Sequence, residues 1–374
     1  MAVCGCLTEY DKAGGEYRKR FSEVDLWAAV NDVERVGGLL RGDAPATGRP
    51  CYLNSDVSPR LQLTLPHLAY LKIADGCDNC CTYCAIPQLR GALRTRPLDS
   101  VVREAGMLVS RGVRELILVA QDTTAYGCDR PKSGDTLAAL IRRLDKLDGD
   151  FRVRLLYTHP AHYDDELIEA LSASRRVLPY LDIPLQHISD RILKAMNRHV
   201  TRSEVETLLT ELRQAIPDLT LRTTFITGFP GESEAEFGEL ADFIRDFKFE
   251  RLGVFPYSAE AGTPAAKLPG QIPPEAAEER ASLLMRRQIA RMKRRNRKLV
   301  GSEAEVLVDM VDECGMAVAR GAMDAPDIDN AVLVSNASRL RAGEVLKVRY
   351  TGTSGCDMLA EPAERPRKRR NGRR

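Results

Sequence analysis

The sequence predicts an α/β protein whose centre is a parallel sheet of βα units forming most of a barrel. A partial α/β piece precedes it and a small β-barrel follows. Three observations carry this. From Leu68 to about residue 257, apolar strand-like runs alternate with amphipathic helices, as crossover connections require. Polar, Gly and Pro residues gather just past each run, where such folds keep their ligand site. After Gly301, short strand-like runs follow one another between Gly, Asp and Asn turns.

Residues 1–50 read as a partial domain. Val3–Leu7 reads as the end of a buried strand, Asp11–Phe21 as a helix, Val24–Ala28 as a strand and Val33–Leu40 as a helix. A lone βαβ piece cannot bury both its faces. Either an upstream portion is expected, or these residues dock on the next domain. Arg41–Pro59 is rich in Gly, Pro, Ser and Asp and reads as a linker, with 51–67 as the linker of the domain division.

The barrel with its trailing helix occupies 68–300. Its strands are expected at Ala69–Ala74, Glu115–Ala120, Val153–Tyr157, Tyr180–Ile183, Leu219–Ile226 and Arg251–Phe255. Helices fall between them at Leu98–Ser110, Thr136–Leu147, Asp165–Ala173, Arg191–Met196 with Ser203–Ala215, and Glu234–Phe247. Pro274–Val300 reads as one long helix with eight basic residues between Arg286 and Lys298. A solvated face is the expectation there, over an RNA-binding one. The small barrel, 301–361, is expected from strands at Glu303–Val308, Met316–Arg320, Val332–Ser335, Val345–Tyr350 and Asp357–Leu359. The tail, 362–374, holds seven basic residues and no acid from Arg365 onward, so the rest of a chain of net charge +2 is acidic. It reads equally as a solvated terminus or an RNA-contacting arm.

At 374 residues, 44% hydrophobic and 29% charged, the chain has the composition of a globular protein of two or three domains. It has no apolar run of about 18 residues, so no membrane span is expected. The N-terminus lacks the charged-then-apolar pattern of a secretory signal. A cytoplasmic location follows as an expectation. In that reducing compartment ten cysteines do not read as a disulfide scaffold.

Three of those cysteines, Cys77, Cys81 and Cys84, form a C-x3-C-x2-C triplet directly after the first barrel strand. Thiolates so spaced on one loop can converge on an iron–sulfur cube. Closed zinc and structural cluster sites have four protein ligands. Recruiting Cys80 as the fourth would place adjacent cysteines on one tetrahedron, so Cys80 reads as a bystander. Three ligands without a fourth leave one iron open for a substrate or cofactor.

Placed at the end of the first strand of a (βα)6 partial barrel, this triplet resembles the radical S-adenosylmethionine (SAM) family. The resemblance implies a 4Fe-4S cluster whose open iron binds SAM and, once reduced, cleaves it to a 5′-deoxyadenosyl radical. The longer stretches ADGCDNCCTYCAIPQLRGALRTR, LVAQDTTAYG, LDIPLQHISDRILKAMNR, RTTFITGFPGESEAEF and FPYSAEAGTPAAKLPGQIP resemble the methylthiotransferases over nearly the whole chain. That family joins a radical SAM barrel to a C-terminal TRAM β-barrel and adds a methylthio group at an unactivated C–H bond. A second 4Fe-4S cluster, held by three separated cysteines of an N-terminal domain, is implied as the sulfur-bearing site. Gly5-Cys6-Leu7 matches the third of those positions, so Cys6 is the implied ligand. Cys4 and Cys51 match none, and an N-terminal truncation is expected.

Two branches of the family differ in substrate. One, MiaB-like, modifies an adenosine of tRNA; the other, RimO-like, modifies the β-carbon of an aspartate in a small-subunit ribosomal protein. LVAQDTTAYG and RGAMDAPDIDNAVLVS resemble the second. Asp324, Asp327 and Asp329 would make an acidic loop, unsuited to RNA phosphates and suited to a basic ribosomal protein. A ribosomal-protein substrate is therefore expected in preference to tRNA. A non-catalytic chain that binds one cluster and SAM is the reading from a different class. A flavodoxin or ferredoxin as electron donor and a monomeric state complete the expectation.

Candidate SAM-binding residues sit at or beside the strand ends: Tyr83 within the triplet, Gln121, Gln186, His187, Gly228 and Glu232, with Arg198 and Arg222 for the SAM carboxylate. Gly228–Glu232 lacks the Lys-Ser/Thr of a phosphate loop. No residue stands out as a catalytic acid or base.

Overall fold

The computed structural model describes residues 1–11, 15–43, 56 and 60–363. Cys51, most of the linker and the basic tail from 364 onward lie outside the described residues.

The N-terminal segment contains β1 (Ala2–Cys4), α1 (Cys6–Asp11), α2 (Glu16–Arg20), β2 (Leu26–Ala28), a 3-10 turn at Val30–Arg35 and α3 (Val36–Leu40). Strand β1 pairs in parallel with β2, Cys4 opposite Ala28. Two expectations are corrected here. The first strand stops at Cys4, because Gly5 turns the backbone to φ 100° and its carbonyl accepts from the amide and the hydroxyl of Thr8, opening a helix that contains Cys6 and Leu7. It is also largely solvent-facing rather than buried. The helix expected at 11–21 shortens to α2, since the Asp11 carboxylate accepts from the amides of Tyr17 and Arg18 in its first turn.

The central sheet comprises β3 (Leu68–Lys72), then, after the two-residue strand β4 (Ala74–Asp75), α4 (Ile86–Arg90), β5 (Arg94–Thr95) and α5 (Leu98–Ser110), its next strand β6 (Glu115–Val119). It continues through α6 (Leu137–Leu144), β7 (Arg152–Leu155), α7 (Asp165–Ala173), β8 (Val177–Asp182), α8 (Asp190–Ala195), α9 (Arg202–Ala215), β9 (Thr220–Thr227), α10 (Glu234–Phe247) and β10 (Arg251–Pro256). The six strands run in parallel in the order β10-β9-β8-β7-β6-β3, so each crossover returns beside its predecessor. That is the open βα barrel that the alternation predicts. Its outer core, including Leu71, Leu116, Val153, Leu181, Leu221 and Phe225, packs beneath the helices. Capping boxes at Thr201/Glu204 and Ser233/Glu236 satisfy the first amides of α9 and α10. The antiparallel ribbon β4–β5 was not expected, being two residues per strand.

Helix α11 (Pro274–Leu299) leads into β11 (Glu303–Val311), β12 (Ala317–Gly321), β13 (Val332–Val334), β14 (Val345–Ser354) and β15 (Asp357–Pro362), which close a barrel in the order β11-β12-β13-β15-β14. This small barrel is joined to the large one by buried charge. Glu115 accepts from Arg152, Arg154 and Arg320. Asp309 binds Arg320 and His67. Asp324 binds Arg251, and Asp329 accepts from Tyr180 at 2.6 Å.

The acidic loop is therefore corrected. Asp324 and the Asp329 side chain are about 3–4% exposed and neutralise arginines of the barrel, so they cannot steer a basic partner through solvent. Only Asp327 is exposed. Among the described residues no helix is long and apolar enough to cross a membrane.

Candidate active site at the barrel mouth

The cysteine loop starts where β4 ends. Gly76 sits at φ 79°, and a Cβ there would lie 2.0 Å from the Ala92 carbonyl oxygen, so the turn admits only glycine. From there the loop is fastened residue by residue. The Cys77 amide donates to the Gly91 carbonyl at 3.2 Å, and the Leu93 amide to Asp78 Oδ1 at 3.0 Å. Asn79 donates to Asp122 at 2.7 Å, Thr82 Oγ1 to the Ala195 carbonyl at 2.9 Å, and Asn197 to the Cys80 carbonyl at 3.0 Å. The segment 195–197 that closes α8 thus clamps the loop from one side, and the β6–α6 connection from the other.

Cys77, Cys81 and Cys84 are all free thiols, Cys81 buried and the other two partly so. The Ile86 amide donates to Cys84 Sγ at 3.4 Å. Burial pushes the Cys77 thiol up to about 11 and raises that of Cys84. As free thiols they are neutral; a coordinated metal would deprotonate them outright. Cys80 is exposed at φ 51°, and its carbonyl accepts from Asn197. Arg198, 4% exposed, donates Nη1 to Cys81 Sγ at 3.6 Å and Nη2 to the Pro184 carbonyl.

Buried polar atoms without partners occur at the strand ends. Gln121 Oε1 and Gln186 Oε1 have none among the described residues, and neither have Tyr257 Oη and His159 Nε2. Gln186 holds φ 73°, a strained backbone for a non-glycine residue at a strand end. Orphaned donors and acceptors at the strand ends are what a polar cofactor such as SAM would satisfy. The residues fit a three-cysteine cluster and SAM.

Other expected residues already have partners within the protein. Glu232 is buried, accepting from the Gly228 amide at 2.8 Å and from Arg280 at 2.7 Å, with its carboxyl raised by burial against the pull of Arg280. Gly228 packs on Ala277 of α11, where a Cβ would meet the alanine methyl at 2.3 Å. His187 Nδ1 accepts from the Ser189 amide, leaving its proton on Nε2, 3.8 Å from Glu232. Burial lowers His187 to about 4. Arg222 is occupied by Asp182 at 2.7 Å and lies 4.0 Å from Asp329 of the small barrel. Tyr83 packs with Met196, Phe229 and Tyr257 under the loop.

The sequence places Asp122 and His159 just past two strands, but reads His159 and His162 as surface or hydrogen-bonded histidines and gives Asp122 no role. Asp122 accepts from Asn79, Thr124 and His162. Burial alone would raise it, yet these bonds hold it down at about 2. Ligand atoms of the three residues lie within 4.8 Å of one another. The tautomer argues against a metal there, since His159 Nδ1 accepts from the Ala161 amide and its proton therefore sits on Nε2. Burial, with Arg198 nearby, lowers His159 to about 3, so it is a neutral donor. Their position just past two strands was the available signal.

Helix α1 packs on α4, and Arg90 Nε donates to Cys6 Sγ at 3.1 Å, bringing Cys6 to the helix that follows the triplet. Glu9, Tyr17, Gln88 and Gly262 line a cavity of about 360 Å³ at this junction.

Comparison with known proteins finds relatives along nearly the whole chain. The radical SAM superfamily matches residues 71–244, and the TRAM domain matches 300–362. The ribosomal protein uS12 methylthiotransferase RimO of Geotalea uraniireducens is 42% identical, over 96% of this chain and 82% of that one. The enzyme of the same name from Geobacter sulfurreducens is 41% identical over the same shares. Among solved structures, the cobalamin-dependent S-adenosylmethionine radical enzyme OxsB aligns with a TM-score of 0.49 at 11% identity, covering 76% of this chain and 43% of that chain. By descent and by architecture, the chain belongs to the RimO family of radical SAM methylthiotransferases.

Proposed function

We propose that this protein adds a methylthio group to the β-carbon of an aspartate in ribosomal protein uS12, in preference to an adenosine of tRNA. The loop of Cys77, Cys81 and Cys84 beside the buried Arg198 guanidinium supports the radical chemistry, and the 42% identity to a uS12 methylthiotransferase over 96% of the chain carries the choice of uS12 over tRNA. In this reading those three cysteines hold a 4Fe-4S cluster with an open iron, and Cys6 contributes to a second. When bound, the cluster and SAM supply one-electron reduction and the hydrogen-abstracting chemistry of the family.

The protein's own residues orient and enclose. Gln121 and Gln186 offer acceptors to a bound amino acid or ribose, His159 offers a neutral donor, and Tyr83 and Phe229 form an apolar floor. The clamps from Asn197, Thr82 and Asn79 hold the loop to one geometry, which matters because misplacement of reacting atoms by about 1 Å costs roughly 100-fold in rate. A flavodoxin or ferredoxin as reductant, a monomeric state and a cytoplasmic setting belong to the same proposal.

The test is mass spectrometry of uS12 from cells with and without the gene, alongside nucleoside analysis of tRNA. A methylthio mass gain on the uS12 aspartate supports the reading. A gain on tRNA with uS12 unchanged would sink it.

A further inference from the structure

Arg198 has a buried guanidinium with no carboxylate partner among the described residues. Other deeply buried arginines here are paired: Arg96 with Glu104, Arg154 with Glu115, Arg251 with Asp324. A buried cation without a counter-charge is costly, so the site should hold an anion when complete. The nearest candidate is sulfur: Cys81 Sγ lies 3.6 Å from Nη1, while Nη2 is anchored on the Pro184 carbonyl. The arginine follows a turn, 195–197, that itself holds the cysteine loop through the Ala195 and Met196 carbonyls and the Asn197 amide group. Its position relative to Cys81 is therefore fixed by both segments.

We propose that Arg198 is a positioning and tuning residue for the cysteine cluster: it donates a charged hydrogen bond to the Cys81 thiolate and raises the cluster's reduction potential. The inference rests on the proposed assignment of Cys81 as a cluster ligand. Hydrogen bonds to ligand sulfurs and nearby positive charge stabilise the more negative, reduced cluster. The guanidinium also suits the geometry, because its planar fork can serve Cys81 and Pro184 at once, whereas an ammonium is a point donor.

The experiment is an EPR-monitored redox titration of the anaerobically reconstituted holoprotein, reading the reduced-cluster signal that changes on adding SAM. Wild type, Arg198→Gln and Arg198→Lys are compared, with iron content and SAM affinity measured in parallel. Arg198→Gln should hold the triplet's iron yet lower the reduced-to-oxidised ratio at fixed potential at least tenfold, a shift of about 59 mV for a one-electron couple. Arg198→Lys should recover part of that shift, and it carries the test if the glutamine variant fails to retain iron. An unchanged potential in both variants overturns the proposal. So does a loss of SAM affinity at unchanged potential, which would make Arg198 a ligand of the SAM carboxylate. A wild-type protein that assembles no SAM-responsive cluster would instead refute the cluster assignment itself.

Discussion

Glu115 and Arg320, 205 residues apart in the chain, are joined by two buried hydrogen bonds of 3.0 and 3.1 Å. Glu115 opens β6 of the large barrel, Arg320 lies in β12 of the small one, and Arg152 and Arg154 complete the shell around the carboxylate. The two barrels are thus docked through a shared buried charge rather than through apolar contact alone.

Glu115→Gln should leave Arg152 and Arg154 without their counter-charge, while Arg320 keeps only Asp309. Removing one partner of a buried pair costs roughly 3–5 kcal/mol, to be read as a lower urea midpoint. Burial would raise the Glu115 carboxyl, but the three arginines hold it well below the ordinary range. A depressed carboxylate contributes stability above its unfolded value, near 4.5, that is lost as pH falls further. Wild-type stability should therefore drop below that pH more steeply than that of the glutamine variant. Equal slopes would remove Glu115 from the interface account.

Gly76→Ala forces a Cβ to within 2.0 Å of the Ala92 carbonyl oxygen at φ 79°. A strained backbone site of this kind costs roughly 1–3 kcal/mol, and the loop beyond it carries Cys77. Lower thermal stability together with reduced iron retention is the expected outcome. An alanine variant with wild-type melting and iron content would contradict the tight-turn reading.

Cys77→Ser, Cys81→Ser and Cys84→Ser should each abolish SAM cleavage and the iron held at this loop, while Cys80→Ser should change neither. Iron and sulfide analysis with a SAM-cleavage assay decides it. Retention of a SAM-responsive cluster in any of the three would reassign the ligands.

His187 is lowered by burial from 6.5 to about 4. Between these values the unfolded chain binds the proton and the folded protein does not, so stability rises with pH across that window. The contribution is of order 3 kcal/mol, lost as pH falls from 6.5 towards 4. His187→Gln should flatten the pH dependence of urea unfolding there. An unchanged slope would mean that the imidazole is not buried as a neutral donor.

Much of the candidate site was legible in the sequence, because the thiols lie on one loop and the strand ends recur at regular spacing. The triplet, the strand-end glutamines and the tyrosine between the cysteines were all visible there. The part that was not legible concerns occupancy. Arg222 and Glu232 are the right residue types in the right places, yet Asp182 takes the first, and the Gly228 amide and Arg280 take the second. Asp122 and His159 were equally polar and equally placed past a strand, and nothing local marked them as the pair beside the loop.

What the sequence by itself determined was periodicity. Residues two apart along a strand, or three and four apart along a helix, share a face whatever lies across from it, so Leu98–Ser110, Asp165–Ala173 and Glu234–Phe247 have the bounds that their pattern implies. Tertiary structure alone decided which charges meet. The Asp324–Arg251 pair spans 73 residues and the Arg198–Cys81 contact 117. Neither has a local signature, because burial of an ion depends on how whole elements dock. The acidic loop shows the difference: three aspartates look like an exposed patch in one dimension, and docking turns two of them into buried counter-ions of the barrel's arginines.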